Sequence, residues 1–337
     1  MGNRFPPIVM TCVPLRISFA GGGTDLAEYY RTGGGEVIST TIDKFVYITV
    51  KSHGALFPDR YRLNYFDSEH ADTLDEIKND IMRECLRLVP VDERLYISTI
   101  ADIPTQSGLG SSSAFAVGLL YALHIKRGDR ISLGQLAEEA CQVEIDMLGH
   151  PIGKQDQYAA AFGGFNHFRF SPKGETTIKP LCLEADKVRS IFDHLMLFWT
   201  SITRSSADIL TEQKNATLSG RNRQHLDRIR EHCRKIGGLL DVGFEPQAFG
   251  RLLDETWTEK QGLASAISND HINHWYDQAM QNGAFGGKIC GAGGGGFLLL
   301  VVPPERQPAV RRALSELECV PIRYETTGAR VLLPLGQ

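Results

Sequence analysis

Two long apolar segments near the start, VMTCVPLRISFA (9–20) and EVISTTIDKFVYITVKS (36–52), are rich in Val, Ile, Thr and Tyr. They predict strands joined across a glycine-bearing stretch. Residues 61–100 hold a strand (YRLNYF), a helix over about 74–89 and a further strand (RLYISTI, 94–100). The segment SSSAFAVGLLYALHIKR (111–127) predicts a helix that is apolar almost all round, and such a helix is buried. A second helix is expected at 133–149, where Leu133, Leu136, Ala137, Ala140, Cys141 and Leu148 recur at helical spacing. GGFNHFRFSP (163–172) reads as strand then turn, and a two-proline stretch at 171–180 marks a domain boundary. Beyond it come a strand (194–202), long amphipathic helices over 205–240 and 247–267, and a helix near 270–282. KICGAGGGGFLLLVVP and a final helix–strand pair close the chain. Strand and helix alternate without a regular βαβ rhythm, so the class is α+β.

The 337 residues include 34 glycines, against average usage of about 7%. Sixteen of them fall in 21–35, 108–110 and 283–296, between apolar runs. Such clusters mark loops where backbone must approach something closely. Hydrophobic residues at 42% and charged residues at 23% describe an ordered soluble protein. A net charge of −4 gives no global case for nucleic acid or an anionic membrane. No apolar run reaches the length of a membrane span, and the N-terminal residues lack a secretory pattern. Seven scattered cysteines without a CxxC pair fit reduced thiols, and the expected location is cytoplasmic.

IPTQSGLGSSSA (103–114) leads into the buried helix with Gly108 and Gly110, then Ser111, Ser112 and Ser113 in its first turn. Free amides and the positive dipole end make that helix start an anion site, and a serine hydroxyl could also reach a phosphate-bound Mg²⁺. A plain serine cap after a glycine turn is the bland alternative. No GxxxxGK[ST] P-loop occurs, and neither do the H-R-D and D-F-G signatures of protein kinases. GSSSA loosely matches a nucleophile elbow, which keeps a serine hydrolase as a rival. GAGGGG (291–296) contains G-x-G-x-x-G, yet FLLLVV after it is a strand, so it is not a dinucleotide fingerprint. It reads as a hairpin loop that approaches a ligand, with a merely flexible loop as the bland alternative. In PLRISFAGGGTDL (14–26), Arg16 lies in a strand and Asp25 follows a glycine turn. An ion pair and a helix cap are their bland readings. Glu144 and Asp156 flank a Gly-His-Pro-Ile-Gly turn and can converge as metal ligand and acid/base.

Taken in order, these segments resemble the GHMP kinase superfamily over nearly the whole chain. PLRISFAGGGTDL looks like its first motif, IPTQSGLGSSSA its second, KICGAGGGGF its third, and GKQDQYAAAFGG its catalytic-aspartate stretch. GGGTDL together with FWTSITRSSADIL (198–210) is similar to bacterial D-glycero-D-manno-heptose 7-phosphate kinases. Galactokinases carry Gly-Glu-His-Thr-Asp in place of Gly-Gly-Gly-Thr-Asp.

The resemblance implies a ribosomal-S5-like N-terminal domain over 1–172 and a ferredoxin-like C-terminal domain over 173–337. It implies ATP as co-substrate, Mg²⁺, and transfer to the anomeric hydroxyl of a sugar, giving a 1,7-bisphosphate on the route to GDP-heptose and surface polysaccharide. Asp156 and Arg16 would be catalytic, with Arg16 keeping Asp156 ionised. Ser107, Gly108, Gly110, Ser111, Ser112 and Ser113 would hold the triphosphate. Ser112 and Glu144 would hold the metal, although related kinases place that glutamate slightly closer to the aspartate. Gly23, Thr24, Asp25, Arg204, Gly293 and Gly294 would contact the sugar. Arg204 and Lys288 are candidates for a second anion, with bidentate geometry favouring Arg204. The expected partners are a sugar phosphate and ATP, with neither nucleic acid nor membrane, and a homodimer is compatible with the sequence. The alternatives are another sugar (unphosphorylated heptose, fucose or a galactose-like hexose), a serine hydrolase, or a non-catalytic nucleotide-binding protein.

Overall fold

Strand β1 (Ile8–Ala20) is buried from Thr11 to its end, which is why it carries no clean polar alternation. In the computed structural model, which describes residues 6–202 and 206–334, it forms the spine of an eight-stranded sheet. Its long neighbour β2 (Gly35–Ser52) pairs with it antiparallel along nearly its whole length. The other edge of β2 serves two partners. Its first third pairs with β6 (Phe165–Phe170), and its last third with β5 (Leu95–Ala101). The short strands β3 (Tyr61–Asn64) and β4 (Ser68–Ala71) extend the sheet beyond β5, with β3 and β5 parallel. Strand β7 (Thr176–Pro180) pairs with β6, and the late strand β12 (Arg330–Pro334) returns to the free edge of β1. Strands drawn from both sides of residue 172 therefore build this sheet.

The second sheet has the order β11–β8–β10–β9, from β8 (Leu195–Trp199), β9 (Gly286–Ile289), β10 (Phe297–Val301) and β11 (Glu318–Val320). Alternate residues of its strands enter different cores. Leu197, Phe297, Leu299 and Val301 join the core of the first sheet. Met196, Phe198, Leu298 and Leu300 join a second core with Trp257, Ile272 and Trp275. Burial on both faces explains the unbroken FLLLV run.

Helix α1 (Ala27–Gly33) follows β1, and α2 (Asp80–Leu88) is capped by the Asn79 side chain. Helix α3 (Ser111–Arg127) runs across β1 and β2. It sits so close that a Cβ on Gly118 would lie 2.4 Å from Ile48 Cδ1. Helices α4 (Leu133–Cys141) and α5 (Gln155–Phe162) pack beside it. The C-terminal half adds α6 (Ala185–Asp193), α7 (Ser206–Leu218), α8 (Arg223–Val242), α9 (Pro246–Gln261), α10 (Asp270–Gln281) and α11 (Gln307–Ala313). Helices α8 and α9 touch both halves. Phe249 of α9 packs edge-on to Phe19 of β1, while Trp257 of the same helix enters the second core. The class is α+β. No described helix is long and apolar enough to cross a membrane.

Four local readings change. The glycine-bearing stretch expected only to join two strands holds a helix, α1, which ends at Gly33 and is closed by Gly34 at φ 80°. The proline-bearing 171–180 stretch, where the boundary was expected, forms the turn and second strand of the β6–β7 hairpin. The helix expected over 133–149 leaves α geometry at Cys141 and continues as a π-helical turn, Gln142–Met147. The helix expected over 205–240 is two helices, broken at 219–222.

Candidate active site

Residue 16 points from the middle of β1 toward the start of α5, and the result is a two-pronged ion pair. Arg16 Nε and Nη2 each donate 2.7 Å to one oxygen of Asp156. The remaining guanidinium nitrogen, Nη1, donates 2.8 Å to the Gly108 carbonyl, and the Arg16 amide donates to Leu109 O. All of the fork is engaged, so Arg16 is fixed in orientation. Its side chain is 5% exposed, while that of Asp156 keeps 24%, so the carboxylate is the accessible member.

Two recesses meet at this pair. One is lined by Gln106, Gly108, Gly110, Ser111, Ser112 and Ser113, faced by the loop that carries Gly291 and Gly293. The other is lined by Gly22, Gly23, Asp25, Gln155, Gln213, Lys260 and Lys288. Arg16, Asp156, Ile152, Leu210, Gly291 and Ala292 border both. In the first, Gly110 caps α3 in the left-handed region at φ 79°, a shape that suits glycine. The first-turn amides of α3 then open on the recess beside three hydroxyls, an arrangement suited to anions.

Glu144 lies behind those serines on the π-helical turn, fully buried. It accepts hydrogen bonds from Ser112 Oγ, from Ser113 Oγ at 2.6 Å and from Gln157 Nε2 at 2.6 Å. Burial raises its pKa above the ordinary carboxylate value; these donors work the other way, and Asp156 adds to the rise. No group of three or more His, Cys, Asp or Glu side chains is arranged to hold a metal among the described residues. One carboxylate with a serine hydroxyl is nonetheless the all-oxygen donor set that Mg²⁺ takes when phosphate supplies the rest.

In the second recess Asp25 is 2% exposed and accepts from the amides of Gly23 (2.9 Å) and Gln155 (3.2 Å). Burial, then repulsion from Asp156, pushes its pKa up. Gln155 Oε1 is buried there with no hydrogen-bond partner.

Matches to known proteins follow this geometry. Residues 76–164 match the family model of the GHMP kinases N terminal domain, and residues 244–318 that of the GHMP kinases C terminal. The D-glycero-alpha-D-manno-heptose 7-phosphate kinase of Campylobacter jejuni is 30% identical over 322 residues, covering 91% of this chain and 93% of that protein.

The chain belongs to the GHMP kinase family.

As a GHMP kinase it is an ATP-dependent sugar kinase. It is also similar to the crystal structure of a D-glycero-D-manno-heptose 1-phosphate kinase from Bacteriodes thetaiotaomicron, with 25% identity, TM-score 0.78 and coverage of 96% and 99% of the two chains. The L-fucokinase/L-fucose-1-P guanylyltransferase of Bacteroides fragilis is 26% identical over 90% of this chain but only 35% of its own length. The hydrolase reading falls away with this membership, and no histidine lines either recess among the described residues.

This GHMP kinase brings Arg16, Asp156, Gly108, Gly110, Ser111, Ser112, Ser113, Glu144, Gly23 and Asp25 together around the two recesses. Other expected residues stand elsewhere. Thr24 turns inward, its hydroxyl donating to Gly21 O and Glu36 O and accepting from the Glu36 amide, so nothing of it faces the second recess. Ser107 is fully buried and lines neither recess. Gly293 lines the serine recess rather than the one with Asp25, and Gly294 lines neither. Arg204 lies outside the described residues.

Sequence reasoning missed Lys260, Gln155 and Gln213. Lys260 carried a readable signal. Phe249, Leu253 and Trp257 mark the apolar stripe of α9, and a residue three past Trp257 falls on that stripe.

Proposed function

We propose that the protein transfers the γ-phosphoryl group of ATP to the anomeric C1 hydroxyl of D-glycero-D-manno-heptose 7-phosphate, giving the 1,7-bisphosphate and ADP. The observation that carries this reading is the Arg16–Asp156 pair at the junction of an anion-suited recess and a polar one. A donor and an acceptor placed in those recesses would meet at the exposed carboxylate. The heptose kinase of Campylobacter jejuni, alike over nearly its whole length, supports the choice of acceptor.

In this reading Asp156 accepts the proton of the C1 hydroxyl as its oxygen bonds to the γ-phosphorus, and the bond to the β–γ bridging oxygen breaks to release ADP. Arg16 holds the carboxylate in place through two hydrogen bonds and adds positive charge beside the transferring group. The amides and hydroxyls of Gly110 to Ser113 bind phosphate oxygens. Ser112 and Glu144 would hold Mg²⁺, which when bound neutralises phosphate charge. Asp25 and the unpartnered Gln155 Oε1 accept hydrogen bonds from sugar hydroxyls, which orients C1. The product then belongs to the making of GDP-heptose for surface polysaccharide.

The test is ADP release from Mg-ATP over a panel of heptose 7-phosphate, unphosphorylated heptose, fucose and galactose. Heptose 7-phosphate should give the highest kcat/KM, with phosphate appearing at C1 by ³¹P NMR. Faster turnover of another sugar would replace the acceptor, and phosphorylation at another hydroxyl would replace the regiochemistry.

A further inference from the structure

We propose that Lys260 and Lys288 form an anion subsite within the Asp25 recess, which binds the phosphate monoester already carried by the acceptor sugar. The proposal rests on the reading of that recess as the acceptor site and names the residues that select a phosphorylated substrate.

Both lysines line the recess, and both are nearly buried, at 8% and 3% exposure. They come from different elements, the last turn of α9 and the strand β9. Lys260 Nζ donates to Ile289 O at 2.9 Å and Gly291 O at 2.6 Å. Lys288 Nζ donates to Ser18 O at 2.8 Å and, at 3.4 Å, to Phe19 O. Every acceptor is a backbone carbonyl, and an ammonium has three N–H groups, so each keeps one unspent.

Among the described residues, no carboxylate pairs with either lysine. The groups that lower their proton affinity are burial first and then positive neighbours, with Lys288 and Arg16 acting on Lys260 and Arg16 on Lys288. Burial with these neighbours brings Lys288 down to about 8 and holds Lys260 well below its ordinary value. The two acids of the recess do not offset this. Asp156 is taken by Arg16, and the charge of Asp25 is itself disfavoured by burial. Tying strands together would be served by a neutral donor, whereas burying two like charges without a counter-ion is strongly unfavourable. A phosphate dianion supplies that counter-charge and accepts both unspent N–H groups.

A phosphate here could also be one of the nucleotide's, because Gly291, which Lys260 holds, borders both recesses. The experiment separates the two sources. KM is measured for ATP, heptose 7-phosphate and unphosphorylated heptose in the wild type, Lys260→Met and Lys288→Met. Loss of a charge-assisted hydrogen bond should raise KM for heptose 7-phosphate roughly ten- to a hundredfold. The KM for ATP should stay within about twofold, a change below half a kcal/mol, and the preference for the phosphorylated sugar should collapse. Three results overturn the proposal: a rise confined to ATP, an equal loss for both sugars, or no change.

Lys288→Arg, which keeps the charge, should keep the preference and guards against a folding defect. Should neither heptose be phosphorylated, the acceptor reading fails separately. The subsite is then judged by thermal unfolding with the nucleotide recess filled by a non-hydrolysable ATP analogue. Added inorganic phosphate should still raise the melting temperature of the wild type and raise that of Lys288→Met less. Equal shifts, or none, overturn it.

Discussion

Gly291 and Gly108, 183 positions apart in sequence, meet backbone to backbone: a Cβ on Gly291 would lie 2.4 Å from Gly108 Cα. Through this contact the glycine loop between β9 and β10 closes on the loop that leads into α3. The same approach recurs at Gly296, where a Cβ would stand 2.4 Å from Ser107 O. Two motifs on different sheets thus share one wall of the serine recess, and neither can carry a side chain at the contact.

Gly291→Ala should therefore force the two loops apart. Gly291 also sits at φ 68°, where a side chain adds strain. Overpacking of this kind costs about 1–3 kcal/mol. The expected outcome is a lower melting temperature together with a raised KM for ATP. Wild-type values for both would show that the loops part freely and do not form the recess.

Asp156→Asn keeps the size of the side chain and removes the proton acceptor. Because Asp156 is the exposed partner of a fixed arginine, kcat should fall roughly a hundred- to ten-thousandfold, the range of general-base contributions. ATP binding, followed by fluorescence titration, should be retained. Turnover at the wild-type rate would remove Asp156 from the chemistry.

Glu144→Gln leaves the hydrogen bonds from Ser112 and Ser113 an oxygen to reach but lowers the charge available to a cation. The Mg²⁺ concentration for half-maximal rate should rise roughly tenfold, in line with the loss of a supporting ligand. An unchanged Mg²⁺ dependence would make Glu144 a purely structural buried acid.

Glu36 on β2 joins two parts of the fold, accepting from His167 of β6 at 2.9 Å and from Arg234 of α8 at 2.6 Å. Burial works to raise its pKa, but those two donors outweigh it and bring it from 4.5 to about 2. A folded value below the unfolded one gives stability that is complete above about pH 4.5 and drains away as the pH falls toward 2. The contribution near neutrality is roughly 3 kcal/mol. Urea unfolding of wild type and Glu36→Gln at pH 7 and pH 4 should show a gap that narrows at the lower pH; a constant gap contradicts this assignment.

The helix over 111–127 was legible to the residue, because an almost wholly apolar stretch between a glycine turn and Gly128 allows few other outcomes. The helix that carries Asp156, α5, was legible in the Ala-rich GKQDQYAAAFGG stretch. Lys260 was legible only in part: its spacing puts it on the apolar stripe of α9, but a lysine in the last turn of an amphipathic helix reads as a solvated charge facing the C-terminal dipole. It is the packing of α9 against β9 that buries it. Thr24 failed in the opposite direction, since a hydroxyl between a glycine run and an aspartate reads as ligand-facing, and only the return of the chain at Glu36 gives it inward partners.

By itself the sequence determined the α+β class, most strand and helix positions and the membership of a kinase family, because these depend on local periodicity and on short motifs. Tertiary structure decided what those motifs face. It set the two-pronged contact between Arg16 and Asp156, the division of one sheet's alternate residues between two cores, and the burial of Lys260 and Lys288 beside one recess. The reason is physical: charge and burial are properties of the whole surrounding volume, and sequence order specifies only the neighbours along the chain.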